Sequence, residues 1–122
     1  MIFSLSKLLK INSGYSIGAG ILGLVLVQEL AEALVLPVGI VGTLCAGLVG
    51  FGTFLIWLNR PSRISAQWGR VISIADFSWV FGVVGFVVLA NPAATGVTIA
   101  LLSSVPVLVL AALQLVASKK LA

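Results

Sequence analysis

The stretch Val38–Leu58, VGIVGTLCAGLVGFGTFLIWL, contains no charged side chain and no proline. An α-helix needs about 20 mostly apolar residues to cross a hydrocarbon core of about 30 Å. Polar residues do not alternate with apolar ones here, as they would along a strand of a membrane β-barrel. Continuous apolar runs seeded with Gly and Ala instead suit helices, whose backbone groups are satisfied within the segment.

Working outward gives the same reading. On the N-terminal side a tight turn at Leu36-Pro37 precedes the stretch, and Pro37 suits a first helical turn because its missing N–H costs nothing there. Before it, an apolar segment runs from about Gly14 to Leu34. On the C-terminal side, Asn59–Arg70 is polar and contains Pro61 and Gly69, the composition of a loop. Two further apolar segments follow, about Val71–Ala90 and Gly96–Ala117, joined by Asn91-Pro92-Ala93-Ala94-Thr95. The expected fold is an all-α membrane protein: four transmembrane helices, over about 14–34, 38–58, 71–90 and 96–117, forming two consecutive helical hairpins in one bundle and one domain.

Composition supports that fold and excludes others. Of 122 residues, 61% are hydrophobic and only 8% charged, and the mean hydropathy is +1.27. A soluble domain carries roughly a quarter of its residues charged, so lipid rather than water must cover most of this chain. The net charge of +4 comes from basic residues flanking the spans in ones and twos. No basic face interleaved with aromatics exists, so the bilayer, and not nucleic acid, is the expected partner.

Threading the spans places Lys7, Lys10, Arg60, Arg63, Arg70, Lys119 and Lys120 on one side, with no Lys or Arg in the other two connections. By the positive-inside rule both termini are cytoplasmic and the host is the cell (plasma or inner) membrane. Trp57, Trp68 and Tyr15 then fall near the inner interface, where amphipathic rings anchor helices. Met1–Lys10 reads either as a short interfacial helix or as an extension of span one. Ala31-Glu32-Ala33 has the small-x-small form of a signal cleavage site, but a span of about 20 residues exceeds a usual signal core, and span one is expected to be retained.

Few residues can carry chemistry. The chain has no His and a single Cys, Cys45, so one copy can build neither a disulfide nor a Cys/His metal site, and no cofactor is expected. Cys45 reads as a small packing residue. Asp76 is the notable position: a carboxylate at membrane depth costs about 2.5 to 3.5 kcal/mol at a helix centre and needs a partner or water. By depth its candidates are Asn12, Ser13, Tyr15 and Ser16, or Arg63 or Arg70 folding back, with Ser73 and Trp79 flanking it at helical spacing. Glu29 and Glu32, with Gln28, could form an outer acidic pair, or be solvated beyond the end of span one.

Gly14 with Gly18, Ser16 with Gly20 in a second register, and Gly42, Ala46 and Gly50 form small-residue stripes through which helices pack closely, within the chain or between two copies. Pro106 should kink span four by removing the bond to Leu102, with Ser103 and Ser104 placed to satisfy released groups. Superposing Ile11–Leu26 on Ile74–Leu89 matches little beyond Ile11/Ile74, Val25/Val88 and Leu26/Leu89, no more than shared hydrophobicity gives. Without a nucleophile–base pair or a metal cluster, catalysis is not expected. The materials suit a structural or accessory membrane subunit with a protein partner or a homo-oligomeric state. The alternative is a small transporter or channel using Asp76, and with it Glu29 and Glu32.

Overall fold

A computed structural model describes residues 4–90, 92 and 94–120. The described residues form five helices and no strand: α1 (Leu5–Val25), α2 (Val27–Leu34), α3 (Val38–Leu58), α4 (Ala66–Ala90) and α5 (Ala94–Lys119). All but α2 are long and apolar enough to cross a membrane. The described residues are therefore all-helical, with four helices suited to crossing a membrane.

Span one differs from its expected limits. It starts at Leu5 instead of near Gly14 and breaks at Leu26, beyond which α2 continues as a separate short helix. Ser4 caps α1 by accepting from the Lys7 N–H at 3.3 Å. Leu5, Leu8 and Leu9 are buried among Leu55, Leu58, Ile72 and Leu110, while Lys7 and Lys10 turn outward. A hydropathy reading stops at those lysines, yet their long stems let the helix run on with the ammonium groups at the interface. Of the segment Met1–Lys10, Met1 to Phe3 lie outside the described residues, and from Leu5 onward it is α1.

At the far end, α2 stops at Val35, which adopts φ 56° and ψ 48° while its N–H and that of Leu36 bond back to Glu32 and Ala31. This is a left-handed helix stop made by a β-branched residue rather than the usual Gly. Pro37 precedes α3, and its carbonyl accepts from Ile40 and Val41. Ser65 starts α4 by accepting from the Trp68 N–H, so the loop spans only 59–65. In the connection between α4 and α5, Asn91 and Ala93 lie outside the described residues.

Helix α1 packs along α3 and α4 along α5, and α1 against α5 joins the two pairs. Helix α2 lies on α3 and α5, while the backbones of α3 and α4 stay apart and the two helices meet through side chains near the basic end. The backbones of α1 and α3 approach closely at Gly20 and Gly52: a Cβ on Gly20 would stand 2.6 Å from the Cys45 carbonyl oxygen, and one on Gly52 2.9 Å from that of Ser13. Of the stripes named from sequence, Ser16 and Gly20 face inward on α1, and the others lie elsewhere. Gly14, Gly18 and Gly50 have nothing within 4 Å of an added Cβ, Ala46 is exposed, and Gly42 only grazes Val27 at 3.9 Å. At about 100° per residue, Gly14 and Gly18 sit on the opposite side of α1 from the buried series Asn12, Ser16, Gly20 and Gly23.

Contacts between helix ends sort the charges. Asn59 donates to the Ser6 carbonyl at 3.1 Å, and Gly69 lies against Leu5 and Ser118. The starts of α1 and α4 thus meet the ends of α3 and α5, gathering the basic residues at one end. At the other end Gly96 lies against Ala33 and Leu34. The basic end is braced by Phe54, stacked on Trp57 at 5.9 Å and edge-on to Trp68 at 5.6 Å. The Arg63 guanidinium sits 4.2 Å over the Trp57 ring and donates to the Trp57 carbonyl at 2.9 Å.

Candidate functional site

Asp76 stands about 15 Å along α4 from Ala66, at 1.5 Å per residue. Helix α4 presents Gly69, Ile72, Ser73 and Asp76 inward at steps of three and four, so the carboxylate points into the bundle and only 4% of the residue is exposed. On α1 the inward series brings Asn12 to the same level, and on α5 the buried face through Ser104, Val107, Ala111, Gln114 and Ser118 brings Gln114 there.

The three side chains form a closed triangle. Asn12 Nδ2 donates to Asp76 Oδ2 at 2.8 Å and to Gln114 Oε1 at 2.9 Å, and Gln114 Nε2 donates to the same Asp76 Oδ2 at 2.8 Å. Asn12 Oδ1 in turn accepts from Ser16 at 3.3 Å. Each amide uses both a donor and an acceptor, which satisfies them in a medium that supplies no water. Both amide donors to Asp76 end on Oδ2, leaving Oδ1 free of them. Arg63 is held at Trp57 and Arg70 is exposed.

A cavity of about 310 Å³ lies against this triangle, lined by Asp76 and Trp79 of α4, Tyr15 and Ser16 of α1, and Gly47 and Phe51 of α3. It lies where α3 and α4 stay apart. Thr43, Leu44 and Gly47 on one lip and Ala75 on the other are exposed, so the cavity opens sideways between α3 and α4.

The residues singled out in the sequence are placed as follows. Asn12 and Asp76 are joined directly. Tyr15 does not reach Asp76: its hydroxyl donates to the Ser103 carbonyl, across to α5, while the residue lines the cavity. It is thus a half-buried bridging residue, where the sequence suggested an interfacial anchor. Ser73 is fully buried and its hydroxyl has no hydrogen-bond partner among the described residues. Ser13 is occupied with the Lys10 carbonyl. Glu29 and Glu32 are exposed on α2, and Glu32 borders a separate shallow recess with Gln28 and Pro37. Ser103 and Ser104 bond to the carbonyls of Ala100 and Leu101, not to Leu102, the group that Pro106 releases. Cys45 is buried against Gly23.

Gln114 was not singled out in the sequence. Its signal is positional: it is the one long amide in span four and lies as near the basic end of that span as Asn12 does in span one.

No protein-family model matches the sequence, and the comparisons with curated proteins and with solved structures also return no match.

Proposed function

We propose that the chain is a multi-pass protein of the cell (plasma or inner) membrane, built as two consecutive helical hairpins with both termini cytoplasmic, and that it acts as a non-catalytic structural or accessory subunit. The observation that carries this reading is the Asn12–Asp76–Gln114 triangle. These side chains satisfy one another and join α1, α4 and α5, as polar groups do when they fix helix packing in lipid. The orientation rests on the basic residues gathered at one end. Lipid surrounds the spans, and a protein partner or a second copy is what an accessory subunit requires. Affinity purification in mild detergent, read by mass spectrometry and native mass, tests the reading. A stoichiometric companion or a defined homo-oligomer is expected, and a companion-free monomer overturns it.

One observation favours a second reading, a small transporter or channel. The Asp76 carboxylate lines a cavity at membrane depth, the setting in which intramembrane acids serve ion or substrate pathways. In this reading Asp76 acts without Glu29 and Glu32, which are exposed on α2, Glu32 beside a different recess. Flux in liposomes that Asp76→Asn abolishes would establish it, and equal flux in both would remove it.

A further inference from the structure

The cavity between α3 and α4 has three properties that together define a ligand. Its wall is mostly apolar and includes the aromatic residues Tyr15, Phe51 and Trp79. Its polar end is a carboxylate with no basic side chain bonded to it, one oxygen of which receives both amide donors while the other receives neither. Its mouth opens sideways between α3 and α4, past the exposed Thr43, Leu44, Gly47 and Ala75.

An anion would meet Asp76 unfavourably, and a purely apolar molecule would leave the free carboxylate oxygen without a partner. A cation with an apolar body answers every feature: its charge meets Asp76, its body fills the apolar wall, and the aromatic rings attract the cation. The volume, about 310 Å³, falls at the small end of ordinary ligand pockets. We propose that the Asp76 cavity is a binding site for a small amphiphilic organic monocation that enters from the lipid through the opening between α3 and α4. The site stands apart from the accessory role and does not require transport.

Gly47 offers a clean way to test it. It lines the cavity, and an added Cβ there meets nothing within 4 Å, so a substitution starts without a backbone clash. Equilibrium dialysis of benzyltrimethylammonium against the full chain in nanodiscs, with empty nanodiscs subtracted, measures binding. Its neutral isostere neopentylbenzene, in which carbon replaces the charged nitrogen, serves as competitor. Saturable one-to-one binding is expected, with the neutral isostere competing at least about tenfold more weakly, the scale of a desolvated cation–π contact.

Asp76→Asn keeps an oxygen for the two amides to meet and should weaken cation binding by about tenfold or more. Gly47→Phe should abolish it while leaving the helix content and native mass of the parent. Non-saturable uptake, equal competition by the neutral isostere, or undiminished binding to Gly47→Phe would each overturn the proposal. If Asp76→Asn does not fold, the charge selectivity of the parent chain and the Gly47→Phe arm still decide it. Binding without flux would sustain the site and count against the transport reading, and a co-purifying subunit would leave the measurement intact.

Discussion

Replacing Gln114 by Leu tests whether the polar triangle holds the bundle together. The side chain is fully buried, donates to Asp76 and accepts from Asn12, so the substitution removes two interhelical bonds while nearly conserving volume. Such bonds in membrane proteins average about 0.6 kcal/mol and reach about 1.7, so the pair contributes about 1 kcal/mol at the average value. The loss also strips Asp76 of one of its two amide donors, and an under-satisfied buried group costs about 1 to 3 kcal/mol. A net destabilisation of about 2 kcal/mol is expected. Asn12→Leu should cost a similar amount. The double variant should fall short of the sum by at least about 0.5 kcal/mol, because each single change already severs the Asn12–Gln114 bond.

Converting Asn12, Asp76 and Gln114 all to Leu removes the buried carboxylate itself, and should leave a chain no less stable than Gln114→Leu alone. Reversible unfolding in mixed dodecylmaltoside and dodecylsulfate micelles, followed by far-ultraviolet circular dichroism, provides the scale. Full additivity of the two single changes, or a loss below about 0.3 kcal/mol for Gln114→Leu, would refute the reasoning.

Three further outcomes follow from the packing and the charge distribution. Gly20→Ala should destabilise the bundle by about 1 to 3 kcal/mol by overpacking against the Cys45 carbonyl, while Gly18→Ala, with open space around the new methyl, should be neutral in the same assay; the reverse order would refute the α1–α3 register. Val35→Asn should raise stability by about 1 kcal/mol by relieving a β-branched side chain at positive φ, and a loss would show that Val35 is held there by packing. In a Cys45→Ala background, a membrane-impermeant thiol reagent should label Ser62→Cys only from the cytoplasmic side and Ala94→Cys only from the opposite side; inverted labelling would overturn the orientation.

Much of the fold was legible because lipid imposes a length. Val38–Leu58 reads as a span and is a helix over those residues, since no charge or break lies within it. Span one was harder because its limits depend on where side chains point. Lys7 and Lys10 mark a stop in a hydropathy average, but in the helix they occupy the outer face while Leu5, Leu8 and Leu9 fill the core. The polar end of the segment fared likewise. Gln28, Glu29 and Glu32 belong to α2, and the break at Leu26 that separates it from α1 occurs in an apolar run with no Pro or Gly at that residue.

The site illustrates why polarity must be read inversely in a membrane. In water an amphipathic helix buries its apolar stripe, but in lipid the apolar stripe is the solvated one, and small or polar groups turn inward. On α1 the inward series is Asn12, Ser16, Gly20 and Gly23, spaced by four, four and three. The conspicuous Gly14–Gly18 pair lies two residues out of step with it and therefore faces away. The position of Asn12 sets the phase that picks the Ser16–Gly20 register over Gly14–Gly18 and makes Gly20 the contact glycine. The same rule applied to α5 starts from its one long amide: Gln114 sets a face that returns through Ala111, Val107, Ser104 and Ala100, which is the buried face of that helix. Asp76 alone could not have supplied either phase, because one carboxylate fixes the inward face of α4 only. The partners become readable once each polar residue is treated as the marker of its own helix's interior and the markers are matched by depth.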